Sequence, residues 1–332
     1  MDMMGYLITG VVVLGAGAGF YLWFFNKGRM YEVEYNKGIE AYQDSRFDDA
    51  LQFFHKATVI DPEKTAAFYN LGLVYMDMKK DKESEKNFLK AINLDNNDPD
   101  SYYNLGLLYF NTNRNDDALK QFMQILRIKP DDLEALYLSG HLLTELKEYD
   151  EAIKLLEKAV EKDPHNSTYF MALGQAYDKR GAVNFSFDDL ELAISAYLKC
   201  AELNPENEEV NYLLAICSAK KGLWEDCVKY CKRVIEINDK SERAYNQMGL
   251  AMYCSGDYDT AISMYKKAIE TNPEYGDTYN NYGFVLEKQG NFTEAIKVFK
   301  KYLQYSKDVE AVKSLRKHIV ELEESINSKN QG

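Results

Sequence analysis

Five cysteines and four histidines are the residues of this chain best suited to metal or nucleophilic chemistry, and their spacing supplies neither. His55, His141, His165 and His318 lie apart from one another and from any cysteine, so no zinc-ligand spacing forms. Cys217, Cys227 and Cys231 fall close together with Cys200 upstream, but an odd cysteine count argues against a disulfide framework. Gly15, Gly17 and Gly19 do not make a phosphate loop, because no strand precedes them and they sit inside an apolar run. The types that recur in register are tyrosine and asparagine: Tyr35, Tyr69, Tyr103, Tyr137 and Tyr212, then Asn36, Asn70, Asn104 and Asn281. An asparagine amide both donates and accepts. A ladder of them could bond the main chain of an extended peptide, while aromatic rings grip side chains. That is binding chemistry; without a converging acid, base and nucleophile, the chain reads as a non-enzyme without a cofactor.

The elements that must position these residues follow from an internal period. Self-similar blocks open at Tyr31, Thr65, Pro99, Leu133, Ser167, Glu208, Glu242 and Gly276, 34 residues apart in every case but one. The eighth position is small (Gly38, Gly72, Gly106, Gly140, Gly174, Ala215, Gly249, Gly283), and so is the twentieth (Ala50 to Ala295, with Ser84 and Cys227). The twenty-fourth is bulky in Phe54, Phe88, Phe122, Leu156, Tyr197, Tyr265 and Phe299, so small faces large across two close helices. Pro62, Pro130, Pro164, Pro205 and Pro273 end the second helix of their blocks.

Segments such as FYNLGLVY (Phe68 to Tyr75) and YDEAIKLLEKAVEKDP (Tyr149 to Pro164) resemble tetratricopeptide repeats, and the resemblance runs from Tyr31 to about Ser306. It implies an all-α protein, a right-handed α-solenoid of eight helical hairpins whose first helices line a concave face. It also implies a protein or peptide partner in that groove, against Tyr35, Asn36, Tyr69, Asn70, Leu73, Tyr103, Asn104, Leu107, Tyr137, Tyr212 and Asn281. The Tyr-Asn-Leu-Gly run is equally a common spelling of the repeat, so these residues serve recognition or ordinary packing. The basic clamp by which some relatives hold a chaperone's C-terminal carboxylate is absent: tyrosines replace its lysines, and Arg243 is the one basic residue at those positions. Cys200, Cys227 and Cys231 take core positions, which predicts burial. Groove charges divide, with Glu32, Asp77, Asp100, Glu134 and Glu145 in the first half and Lys179, Lys220, Arg243 and Lys288 in the second, a pattern that suits a partner segment with one basic and one acidic end.

Outside the blocks, residues 1–5 form a short tail and Tyr6 to Phe25 an uncharged stretch of 20 residues, long enough at about 1.5 Å per residue to cross a bilayer core of about 30 Å. No Lys or Arg precedes it, against a cleaved signal peptide, and Lys27 and Arg29 after it place the repeats in the cytoplasm. Gly15 and Gly19 form a GxxxG pair that could join two such helices. The surplus in the long block falls at 182–188, read as a loop in which Phe185 and Phe187 either contact a partner or, the favoured reading, pack back on the array. Residues 308–327 are amphipathic and read as a capping helix, and 328–332 as a disordered tail. A net charge of −13 disfavours nucleic acid. The expected function is a single-pass, membrane-anchored scaffold for protein interactions; a self-assembling, homo-oligomeric structural protein is the alternative.

Overall fold

Each hairpin is made by its turn. Ser45, Lys79, Asn113, Lys147, Gly222, Gly256 and Gly290, each the fifteenth residue of its block, have φ between 57° and 84°, the left-handed conformation that reverses a chain leaving a helix. The next amide then bonds a carbonyl one turn back, as Lys80 does to Tyr75 at 2.9 Å. The second helix starts at once, with acids such as Asp116 and Asp117 in its first turn, where the helix dipole favours negative charge.

The computed structural model describes residues 26–330. Among them it shows α1 (26–43), α2 (Phe47–Ile60), α3 (Thr65–Asp77), α4 (Asp81–Leu94), α5 (Pro99–Asn111), α6 (Asn115–Ile128) and α7 (Leu133–Glu145), which form a first compact unit ending at Leu146. A second unit comprises α8 (Tyr149–Lys162), α9 (Ser167–Asn184), α10 (Phe187–Leu203), α11 (Glu208–Lys220), α12 (Trp224–Ile237), α13 (Glu242–Cys254), α14 (Tyr258–Thr271), α15 (Gly276–Lys288), α16 (Phe292–Tyr305) and α17 (Val309–Asn330). Within each unit successive helices pack on one another, α3 on α4 and α4 on α5, α13 on α14 and α14 on α15. The first helix of each block from the second onward opens on the residue that opens the block.

The small and large positions meet inside the hairpins. A Cβ added at Gly72, Gly106 or Gly249 would stand 2.6 Å from the ring of Phe88, Phe122 or Tyr265. Those rings are fully buried. Ser84 takes an alanine position and is accommodated because its hydroxyl donates to the Gly72 carbonyl at 2.8 Å. Where Cys231 replaces the ring, Ala215 replaces the glycine, and Ala215, Cys227, Cys231 and Ala251 make a small core of their own.

Two expectations are corrected. The surplus at 182–188 is not a loop: α9 has 18 residues and α10 has 17, against 13 and 14 in α3 and α4, so the insertion lengthens both helices. Gly181 stays helical because Arg180 holds the partner helix, bonding Asp189 at 2.6 and 3.0 Å, and the left-handed turn moves to Phe185 at φ 54°. At that tip Phe185 and Phe187 are exposed, 90% and 68%, rather than packed on the array. The second correction is at the C-terminus, where α17 continues through residues 328–330 of the expected disordered tail, no proline or glycine intervening. Leu315, Ile319 and Leu322 of α17 are buried in the same core as Phe299 and Tyr302 of α16. The Tyr6 to Phe25 span, its GxxxG pair and residues 331–332 lie outside the described residues. Among the described residues no helix is long and apolar enough to cross a membrane.

Candidate partner-binding face

The tyrosines expected to meet a partner are half-buried, and Tyr35, Tyr69 and Tyr103 lean on the large residue of their own hairpin. Ring centroids of Tyr35 and Phe54 are 5.8 Å apart, of Tyr69 and Phe88 6.0 Å, and of Tyr103 and Phe122 6.1 Å, all tilted. Tyr137 stacks on His141 at 6.2 Å. Leu73 and Leu107 pack partly buried against the same core as Phe88 and Phe122.

The asparagines do something the sequence reading did not foresee: they tie consecutive hairpins together. Asn70 Nδ2 donates to the Tyr35 hydroxyl at 3.0 Å and to the Ala66 carbonyl at 2.9 Å. Asn104 repeats this one hairpin on, to the Tyr69 hydroxyl at 3.0 Å and the Asp100 carbonyl at 2.9 Å. Each amide's two hydrogens are therefore spent inside the unit, leaving only Oδ1 to accept. Asn36 is exposed and has no preceding tyrosine, and the Tyr103 hydroxyl has no such donor because the corresponding residue is Leu138. In the second unit Asn281 donates to Asn246 Oδ1 at 3.1 Å, the same link with asparagine in the tyrosine's place. All three links span 35 residues, one repeat plus one.

Burial raises the pKa of Tyr35, Tyr69, Tyr103 and Tyr137 above the usual phenol value, and nearby carboxylates raise it further: Glu32 at Tyr35, Asp100 and Asp98 at Tyr69, Glu134 at both Tyr103 and Tyr137. The hydroxyls stay protonated and able to donate. Among the described residues Glu32, Asp100 and Glu134 form no ion pair, while Asp77 accepts from the Tyr42 hydroxyl at 2.6 Å. The second unit differs. There Lys220 pairs with Asp178 at 2.6 Å and Arg243 with Glu209 at 3.0 Å, the guanidinium lying 4.5 Å over the Tyr212 ring. Two of the four cations expected on the positive half of the groove are thus paired with the chain's own acids. Cys200, Cys217, Cys227 and Cys231 are buried and Cys254 exposed; burial pushes the Cys200 thiol up to about 11 and Cys217 up to about 12.

Comparison with known proteins sets this geometry in context. Sequence profiles of the tetratricopeptide repeat match residues 65–98, 140–181, 169–207 and 255–319. A profile described as anaphase-promoting complex, cyclosome, subunit 3 matches residues 88–159. No curated protein matches the sequence. Among solved structures, YrrB, described as a TPR protein with an unusual peptide-binding site, is 23% identical over 58% of this chain and 96% of its own, with a TM-score of 0.50. PilF of Pseudomonas aeruginosa is 20% identical over 68% of this chain and 97% of its own, with a TM-score of 0.51. At such identities the likeness is one of fold. The hairpins, their close glycine–aromatic contacts and the matching profiles agree that this chain is a member of the tetratricopeptide-repeat family.

Proposed function

We propose that this chain is a membrane-anchored scaffold that holds a segment of a partner protein along the face bearing Tyr35, Tyr69, Tyr103 and Tyr137 and recruits it to a membrane-associated complex. The observation that carries the reading is the recurrence, once per first helix in the first unit, of a half-buried tyrosine whose hydroxyl hydrogen has no acceptor at Tyr35, Tyr69 or Tyr103 among the described residues. Each hairpin closes on its own glycine–aromatic contact, and although the Tyr35 and Tyr69 hydroxyls accept from the next hairpin's asparagine, their hydrogens are left for a guest. YrrB's peptide-binding site belongs to YrrB; a peptide-binding role here rests on this chain's own tyrosines. The uncharged run from Tyr6 to Phe25 supports a single span, and Lys27 with Arg29 supports repeats in the cytoplasm.

The test is photo-crosslinking in cells from an amino acid placed at Tyr69 or Tyr103. A defined partner is expected, and combining Tyr69→Ala with Tyr103→Ala should lower its recovery at least tenfold without loss of helical circular dichroism. Unchanged recovery would remove the reading. Deleting 6–25 should move the protein from the membrane pellet to the supernatant. A second reading, assembly of copies of the chain, draws on the exposed Phe185 and Phe187; changing both to serine should then convert an oligomer to a monomer in sedimentation.

A further inference from the structure

The first unit's tyrosine face offers a guest hydroxyl donors at Tyr35, Tyr69 and Tyr103, and beside them acceptors that no cation of the described residues serves. Asn70 and Asn104 have committed both amide hydrogens, so Oδ1 is what remains to them. Asn70 is only 7% exposed, yet among the described residues no group donates to its Oδ1, and that atom is not among the fully buried ones lacking a partner, so part of it is open to solvent. Glu32 and Asp100 stand three residues before Tyr35 and Tyr103 and Glu134 three before Tyr137, one helical turn away; they raise the pKa of neighbouring tyrosines and form no ion pair among the described residues. Asp100 and Glu134 stand in the first turn of α5 and α7, where the helix dipole favours an acid. The dipole explains why an acid is tolerated there; at the matching place in the second unit Glu209 is paired with Arg243. Elsewhere in the first unit the acids divide: Asp49, Asp61, Glu85 and Asp117 are paired, while Asp48, Glu63, Asp81 and Asp116 form no ion pair among the described residues, so what sets Glu32, Asp100 and Glu134 apart is their recurrence at the second position of a block, three residues before a tyrosine.

The geometry points to an arginine- or lysine-bearing extended segment of a partner protein as the guest of this face, with its cations at Glu32, Asp100 and Glu134 and over the Tyr69 and Tyr103 rings, the Tyr35 ring being already stacked on Tyr31. This rests on the scaffold reading above and names the partner's chemistry. A guanidinium is donor-only, matches a carboxylate with two parallel hydrogen bonds and lies favourably on an aromatic face. In the second unit Arg243 does this internally, bonding Glu209 while covering Tyr212, so the chain contains a copy of the contact expected of its guest. Uncompensated carboxylates along one face repel one another, which a basic guest relieves and salt screens, with a Debye length of about 8 Å at physiological ionic strength.

The experiment uses the full chain in lipid nanodiscs and a fluorescein-labelled dodecapeptide alternating arginine and serine, with its glutamate counterpart as control, read by anisotropy. The arginine peptide should bind, and bind at least tenfold more weakly at 500 mM than at 50 mM NaCl; the glutamate peptide should not bind. The combined variant Glu32→Gln, Asp100→Asn, Glu134→Gln should weaken binding at least tenfold while its melting temperature stays level or rises. Glu161→Gln, Glu270→Gln, Glu324→Gln, which removes the same charge from exposed positions of the second unit, should weaken it less than threefold. Equal losses in the two variants, or comparable binding of the glutamate peptide, would overturn the inference as diffuse attraction to an acidic protein. If that happens while the tyrosine variants still abolish capture of the crosslinked partner, the charge assignment falls and the scaffold stands; if the tyrosine variants also do nothing, both fall.

Discussion

At Gly106 one hydrogen decides how closely two helices approach. Alanine normally favours a helix over glycine, but here its methyl would lie 2.6 Å from the buried Phe122 ring, so Gly106→Ala should destabilise the protein by about 1–3 kcal/mol in denaturant unfolding. The large partner can also be a tyrosine, and there the fit is incomplete. The hydroxyls of Tyr197 and Tyr265 are buried with no hydrogen-bond partner. Tyr197→Phe and Tyr265→Phe should each raise stability by about 1 kcal/mol, measured the same way, because they delete a group that lost its water for nothing. A fall in stability would mean that an acceptor serves those hydroxyls. The small and large registers were legible in the sequence because every block but the one with Cys231 repeats them. The orphaned hydroxyls were not, since phenylalanine and tyrosine exchange freely at that position; nor were the Tyr35–Asn70 and Tyr69–Asn104 links, whose signal is a spacing of 35 hidden beside a period of 34.

At the scale of the element, the hairpin turn demands a left-handed residue whatever its side chain. Glycine supplies it at Gly222, Gly256 and Gly290, while Ser45, Lys79 and Asn113 adopt it with a Cβ, at a cost of roughly 1 kcal/mol for an ordinary side chain. Lys79→Gly should therefore stabilise α3 and α4, and Gly256→Ala destabilise α13 and α14, each by about 1 kcal/mol and in opposite directions; thermal unfolding of the two variants checks the pair. The helices themselves were legible from period and proline. The long hairpin was misjudged for a physical reason: seven additional residues carry no sign of whether they will run as loop or helix. The outcome depends on a bond between residues nine apart, Arg180 to Asp189, and on Ser186, whose side chain caps α10 by accepting from the Asp189 amide at 3.2 Å. The lengthened helices then hold Phe185 and Phe187 out in water, where a loop would have let them fold back.

At the scale of the molecule, stability need not be even along a stack whose layers touch only their neighbours. In the second unit the end bearing α15, α16 and α17 shares a core with Tyr265, Tyr282, Phe299 and Leu315, whereas α11 and α12 meet over Ala215, Cys227 and Cys231. Amide hydrogens of α11 and α12 should exchange faster than those of α15 and α16 in hydrogen-exchange mass spectrometry; uniform protection across the unit would contradict this. The cysteines give that uneven layer a further property. Four thiols are sealed in and one, Cys254, is open to solvent, so the folded protein presents a single site to an alkylating reagent. Every additional mass tag it acquires would time-stamp a moment at which the interior parted. The chain thus carries an unlabelled gauge of its own breathing, readable by mass alone without a dye.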